Sequence, residues 1–213
     1  MSNDPVNSPA NGSGEMDATV FIVDDDEAVR DALSTLVELA GLPVRSFDNP
    51  LAFLHRYTPD MAGCVVTDLR MPFMDGLELQ QELTRRGAAI PFIVITAHGE
   101  VSAAVTALRA GAIDFLEKPF DEDVFLKRIH EALQRDARQR RDQSATSEAL
   151  SKLSMLSTRE REVAELMVEG CANKAIANRL GIGVRTVETH RANVLSKLGI
   201  RTVPELMRLW MHL

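Results

Sequence analysis

The chain has 213 residues, 45% of them hydrophobic and 26% charged, with 31 Asp and Glu against 24 Lys and Arg for a formal net charge of −7. This balance excludes a fibrous or wholly disordered chain and leaves room for one large or two smaller cores, of which two domains is the better fit. Residues 1–17, rich in Ser, Asn, Gly and Pro, lack the basic and apolar stretches of a signal peptide, and no later apolar run reaches membrane-span length; the expectation is a cytoplasmic protein with a disordered N-terminal tail and no membrane partner.

From Thr19 to about Arg141, short apolar runs (Val20 to Val23, Val44 to Phe47, Cys64 to Thr67, Phe92 to Ile95, Ile113 to Leu116) alternate with longer amphipathic segments. Strands separated by helix-length segments predict an α/β fold of flavodoxin-like type. Its five parallel strands would be doubly wound, with helices on both faces and ligands at the carboxyl ends of the strands. The fifth amphipathic segment loses its apolar periodicity in Arg135 to Ser144 and is expected to fray into a connecting segment over residues 136–152, either a linker helix or a linker. Four helical segments then follow, near residues 158–169, 173–180, 184–198 and 203–212, punctuated by Gly170, Gly181, Gly183 and Gly199. Ser157-Thr158-Arg159-Glu160 offers a capping box at the start of the first. Cys64 and Cys171 fall in different candidate domains, which suits reduced, buried thiols better than a disulfide or metal site. Charge divides with the pattern. Residues 1–149 hold 14 Lys and Arg against 25 Asp and Glu, a balance of −11, while residues 150–213 hold 10 against 6, a balance of +4 that is compatible with nucleic acid.

Asp24, Asp25, Asp68, Thr96 and Lys118 all stand at predicted strand ends. A carboxylate that attacks phosphorus must stay ionised while meeting an anionic donor, so it needs a divalent cation to cancel the repulsion. Asp68 is the predicted nucleophile, exposed between an apolar strand and a Pro-containing loop, with Met74-Asp75-Gly76 as the turn before the next helix. Asp24 and Asp25 would hold Mg2+, which takes one or two carboxylates, a carbonyl and several waters. Thr96 could offer a hydroxyl, and Lys118 a point charge, to a phosphoryl oxygen. Taken singly these two are equally ordinary strand-end residues, and the joint placement selects them. His98 is left out as a loop residue. A third acid, Asp26, is assigned to capping the next helix.

In the C-terminal part, Val184, Val187, Val194, Leu195 and Leu198 fall on one helical face that a core can bury. Arg185, Thr189, Ala192 and Ser196 occupy the opposite face, flanked by Glu188 and Asn193. Short polar side chains of this kind suit a major groove, where Thr and Ala meet a thymine methyl, Asn pairs with adenine and Glu accepts from cytosine. A solvated helix face is the alternative. The preceding Asn173 to Gly181, a short helix and a glycine turn, completes a helix-turn-helix arrangement.

On these residues the chain resembles the FixJ/NarL family of two-component response regulators. Residues 18–135 look like a receiver domain, with Ile95-Thr96-Ala97-His98-Gly99-Glu100 especially FixJ-like. Residues 153–213 look like a LuxR-type helix-turn-helix domain through Leu156 to Val163 and Thr186-Val187-Glu188-Thr189-His190. The resemblance implies Asp68 as phosphoacceptor, Asp24 and Asp25 as the acidic pair, the Arg70 carbonyl in the Mg2+ shell, Thr96 and Phe115 as switch residues, and Lys118 as the phosphate-sensing lysine. It also implies a cis Lys118-Pro119 bond. For DNA it adds Lys174 and Lys197 as phosphate contacts and Thr186 to the reading helix; Arg191 would fold back to an acidic neighbour. The implied partners are a cognate histidine kinase and double-stranded promoter DNA, with RNA polymerase a further candidate. Phosphorylation would alter the face of the fourth amphipathic segment, fifth strand and fifth amphipathic segment, either dimerising the protein or releasing its DNA-binding domain; the resemblance favours a homodimer. The implied role is that of a regulator and not an enzyme. A magnesium phosphohydrolase is the rival from another class, but it would want a second acid two residues after Asp68, where Arg70 stands. A phosphorylation-independent transcription factor is the third reading.

Overall fold

The computed structural model describes residues 18–96 and 114–212. The N-terminal tail, Ala97, His98, the fourth amphipathic segment and Ile113 lie outside the described residues. The chain divides into two compact units between Ala137 and Arg138.

The first unit is built on β1 (Thr19–Val23), β2 (Val44–Phe47), β3 (Gly63–Asp68), β4 (Phe92–Thr96) and β5 (Asp114–Glu117), all parallel in the order β2-β1-β3-β4-β5. Alternation along each strand splits the core in two. Phe21, Val23, Val65, Phe92 and Val94 face α2 (Pro50–Arg56) and α3 (Gly76–Arg85), which supply Phe53, Leu54, Leu79 and Leu83. Val20, Ile22, Cys64, Val66, Ile93 and Ile95 face α1 (Glu27–Leu39) and the first part of α4 (Glu122–Ser154), which supply Leu33, Val37, Phe125, Ile129 and Ala132. Period-two burial on both faces is what a covered parallel sheet requires. Local caps fix the helix starts: Asp26 accepts the Ala28 and Val29 amides as expected, Asn49 accepts that of Ala52, and Asp75 and Glu78 form a reciprocal box.

Of the two forms left open for the connecting segment, the helix is the one present: α4 does not fray beyond Arg135 but continues for 33 residues through Ser154. The stretch that lacks apolar periodicity is held by helical neighbours of opposite charge, such as Lys152 and Glu148 at 2.6 Å, and by burial of Ala149 and Leu153.

The second unit contains α5 (Thr158–Val168), α6 (Asn173–Leu180), α7 (Val184–Leu198) and α8 (Val203–Trp210) around Leu153, Val163, Met167, Ile176, Val187, Val194, Leu198 and Leu206. The predicted capping box of Ser157 and Glu160 is present. Both cysteines are free thiols; Cys64 is fully buried, whereas Cys171 is only half-buried against the second core.

Candidate phosphoryl site and nucleic-acid interface

Sheet pairing assembles the first site. The register sets Val23 beside Thr67, Asp68 beside Ile95 and Thr96 beside Glu117, so Asp24, Asp68, Thr96 and Lys118 meet at one edge although they are far apart in sequence. The Lys118 amide donates to the Thr96 carbonyl at 2.7 Å, and the Lys118-Pro119 bond is cis, as the resemblance implied. Lys118 Nζ donates to Asp68 Oδ1 at 2.8 Å and to Asp24 Oδ2 at 3.1 Å. The Arg70 amide donates to Asp68 Oδ2 at 2.7 Å, which turns the Arg70 peptide toward the carboxylate. Each Asp68 oxygen keeps a further lone-pair site for an incoming atom.

Asp24 is the more buried carboxylate. Its Oδ1 accepts the Asp26 amide at 2.9 Å, and its backbone carbonyl accepts from Arg30 at 2.8 Å. Burial pushes its carboxyl above the ordinary range, and the negative charge of Asp68 adds to that; the Asp26 amide and Lys118 oppose it. Burial also works against the charge on Lys118, but its hydrogen bonds to Asp68 and Asp24 and the charges on both outweigh the loss of solvent and hold it above its usual value. Thr96 is buried within this edge. Phe115 is already half-buried against the core face of α2 and α3. Asp25 stands exposed at the rim.

The donor set suits a hard divalent cation, although no group of three or more His, Cys, Asp and Glu side chains among the described residues is gathered for a metal. Asp24, Asp25 and Asp68 bring three carboxylates to this edge, and the Lys118 ammonium bonds two of them. Oxygen ligands of this kind, with water filling the remaining positions, are what magnesium takes.

Two local features went unread in the sequence. Gly76 begins α3 where a Cβ would lie 2.4 Å from the Asp68 carbonyl oxygen, so the residue is fixed by close approach as well as by the turn. Arg30 clamps the Asp24 backbone from α1, and nothing in the linear pattern marks it.

In the second unit α7 exposes Arg185, Thr186, Glu188, Thr189, Ala192, Asn193 and Ser196. Thr189 Oγ1 donates to the Arg185 carbonyl at 3.1 Å, which orients its methyl outward from the helix turn. Lys174 is exposed on α6. The predicted apolar face holds at Val187, Val194 and Leu198, is half-buried at Leu195, and fails at Val184, 42% exposed because it opens the first turn beyond the core. Lys197 is exposed on α7, and its ammonium lies 2.6 Å from Glu160 Oε2, tying α7 to α5. That ion pair and the Ser157 amide push the Glu160 carboxyl down to about 2. Arg191 is half-buried and makes no ion pair among the described residues.

Comparison with known proteins follows the same division. Residues 20–130 match the family described as response regulator receiver domain, and residues 154–210 match bacterial regulatory proteins of the luxR family. The chain is 48% identical over 190 residues to the transcriptional regulatory protein FixJ of Azorhizobium caulinodans, covering 89% of this chain and 90% of that one. It is 43% identical to FixJ of Rhizobium meliloti, covering 91% and 95%. Among solved structures, the response regulator StyR superposes with a TM-score of 0.84 at 42% identity, covering 92% of this chain and 100% of that one.

Proposed function

Since the chain belongs to the response regulators that join a receiver domain to a luxR-type DNA-binding domain, we propose that it is switched by phosphoryl transfer from a histidine kinase to Asp68 and then controls transcription at promoter DNA. The observation that carries this reading is the position of Lys118 Nζ, 2.8 Å from Asp68 and 3.1 Å from Asp24. A cation already spans the carboxylate that would attack and the carboxylate that would hold a metal.

That geometry supports the following assignment of roles. Asp68 attacks phosphorus with a carboxylate oxygen, which breaks the donor's bond to phosphorus and leaves an aspartyl phosphate. The Arg70 amide fixes the other oxygen and so the plane of the carboxylate. Mg2+, held by Asp24, Asp25, Asp68 and the Arg70 carbonyl, would neutralise the incoming phosphoryl oxygens. Lys118 meets the new dianion with the ammonium it now gives to Asp68 and Asp24, and Thr96 offers its hydroxyl. Moving Thr96 and Phe115 between two packings needs only a few kcal/mol of differential interaction.

We assign the receiver to residues 18–135, the connecting segment to 136–152 and the DNA-binding domain to 153–213. In the latter, Arg185, Thr186, Glu188, Thr189, Ala192 and Asn193 of α7 form the reading surface, and Lys174 and Lys197 contact phosphate. Homodimerisation on phosphorylation would set two such helices on neighbouring half-sites, with RNA polymerase the further partner at the promoter. The assigned compartment is the cytoplasm; among the described residues no helix is long and apolar enough to cross a membrane. The test is intact mass and sedimentation of wild type and Asp68→Asn incubated with magnesium and acetyl phosphate. The expected result is a phosphate adduct and a dimer in the wild type alone; an adduct that persists in Asp68→Asn refutes the assignment of the phosphoacceptor.

A further inference from the structure

Phe73 breaks two rules of the fold at once. Its ring is 93% exposed, the most exposed of the large hydrophobic side chains among the described residues. Its φ is +69°, and no other described non-glycine residue has a positive φ. The Met74 amide donates to the Pro72 carbonyl at 2.9 Å, two residues back, so Phe73 is the central residue of a γ-turn of the rare, strained, positive-φ kind. A bulky residue is a genuine outlier there, and glycine would relieve the strain. Neither half of the arrangement serves the core. The residues on either side do: Met71 and Met74 pack against it, and Asp75 caps α3. Strain of this kind marks a site where something other than stability holds the residue.

The place of the turn says what that is. The loop is closed by the Gly76 amide donating to the Leu69 carbonyl at 3.0 Å, and Gly76 itself lies against the Asp68 backbone. Phe73 is three residues from Gly76, at most about 11 Å along the extended chain. A protein interface of ordinary size covers roughly 800 Å² per partner, a disc of about 16 Å radius. A protein that brings a phosphorylated side chain to within bonding distance of Asp68 can therefore cover Phe73 within an interface of that size. Asp25 and the half-buried Lys118 put charge on the same edge, and an aromatic ring flanked by polar groups is a common form of interface anchor. We propose that Phe73 is a specificity-determining anchor for the protein phosphodonor, inserting its ring into an apolar depression beside the donor's phosphohistidine. A second copy of this chain has no comparable need to approach Asp68, so the donor is the occupant.

This rests on Asp68 as phosphoacceptor, and the test separates the two. Phosphorylation of the full chain is measured with acetyl phosphate and with a purified histidine kinase that phosphorylates the wild type, for wild type, Phe73→Gly and Phe73→Tyr. For Phe73→Gly, the ratio of kinase-driven kcat/KM to the acetyl phosphate rate should fall by about tenfold, through KM and not kcat, with an unfolding midpoint no lower than that of the wild type. Phe73→Tyr, which keeps the ring, should retain the wild-type ratio. An unchanged ratio in Phe73→Gly overturns the proposal, as does an equal loss in Phe73→Tyr. So does a Phe73→Gly defect confined to self-association of the phosphorylated form. Phosphate uptake that persists undiminished in Asp68→Asn overturns the reading of Asp68, and this proposal with it.

Discussion

Gly76→Ala tests how closely the phosphoacceptor loop is built. The new Cβ would stand 2.4 Å from the Asp68 carbonyl oxygen, 3.3 Å from its carbonyl carbon and 3.1 Å from Thr67 Cγ2. The nearest atom is backbone in the central strand, so it cannot rotate away. Ordinary contact begins near 3.4 Å, and the start of α3 must withdraw by about 1 Å to reach it. That withdrawal also stretches the bond from the Gly76 amide to the Leu69 carbonyl, now 3.0 Å. Overpacking of this kind costs about 1–3 kcal/mol, the weakened hydrogen bond adds up to about 1 kcal/mol, and the better helix propensity of Ala offsets about 0.5–1 kcal/mol, for a net loss of about 2 kcal/mol. Because a misplacement of about 1 Å can cost on the order of a hundredfold in a positioned reaction, adduct formation with acetyl phosphate should slow by tenfold or more. Gly87→Ala is the control: nothing lies within 4 Å of its Cβ, and its φ of +74° predicts only the strain of a left-handed alanine, about 1 kcal/mol, with phosphorylation unaffected. Urea unfolding and time-resolved intact mass measure both quantities. A Gly76→Ala protein within about 0.5 kcal/mol of wild type and phosphorylated at the same rate would refute the close-approach argument.

Two further outcomes concern the second unit. Thr189→Ala should alter the preferred operator sequence more than overall affinity, whereas Lys174→Ala should weaken binding to all sequences and lower the salt slope by about one; titrations on matched and scrambled duplexes at several salt concentrations would expose the reverse pattern. Lys197→Met should destabilise the protein at neutral pH by about 1–2 kcal/mol, because it strands the buried Glu160 carboxylate while removing a half-exposed lysine. The Glu160 carboxyl is depressed from 4.5 to about 2 in the folded protein, so the stability it contributes is complete above pH 4.5 and is lost as pH falls toward 2. The difference between wild type and Lys197→Met should therefore shrink through that window, and a difference that stays constant from pH 6 to pH 3 would show that the ion pair is not its source.

The phosphoryl site was legible because its members are strand ends. Five apolar runs spaced by helices leave few topologies, and parallel pairing then carries Asp24, Asp68, Thr96 and Lys118 to one edge whatever their separation in sequence. The helix starts were legible for a local reason, as at Asp26 and at Ser157 with Glu160, where side chain and amide are three residues apart or fewer. What went unread depended on partners the pattern does not hold. Lys197 reads as a surface cation until Glu160, 37 residues away, is placed beside it, and Glu160 reads as a simple cap residue until Lys197 arrives. Val184 fits the apolar stripe of α7 by spacing, but the core ends one turn short of it. α4 lost its periodicity and still stayed helical, since charge pairs along its surface do not produce an apolar stripe.

The strand that carries Asp68 is also held at its far end, and this limits how a new charge can be accommodated. At the start of β3 the Gly63 amide donates to the buried Asp136 Oδ2 of α4 at 2.9 Å, while at its end Leu69 donates to the Ile95 carbonyl at 2.8 Å and accepts from Gly76. Sliding β3 by even one residue would break these bonds and turn its inward side chains to the opposite face of the sheet. Every residue from Gly63 to Asp68 is buried, so that exchange would also replace a packed face with a mismatched one. The cheaper response to a dianion on Asp68 is a change at the strand ends around it. There Lys118 can exchange its carboxylate partners for phosphoryl oxygens and Thr96 can turn its hydroxyl. Phe115, half-buried on the edge strand, can repack without disturbing the four strands behind it.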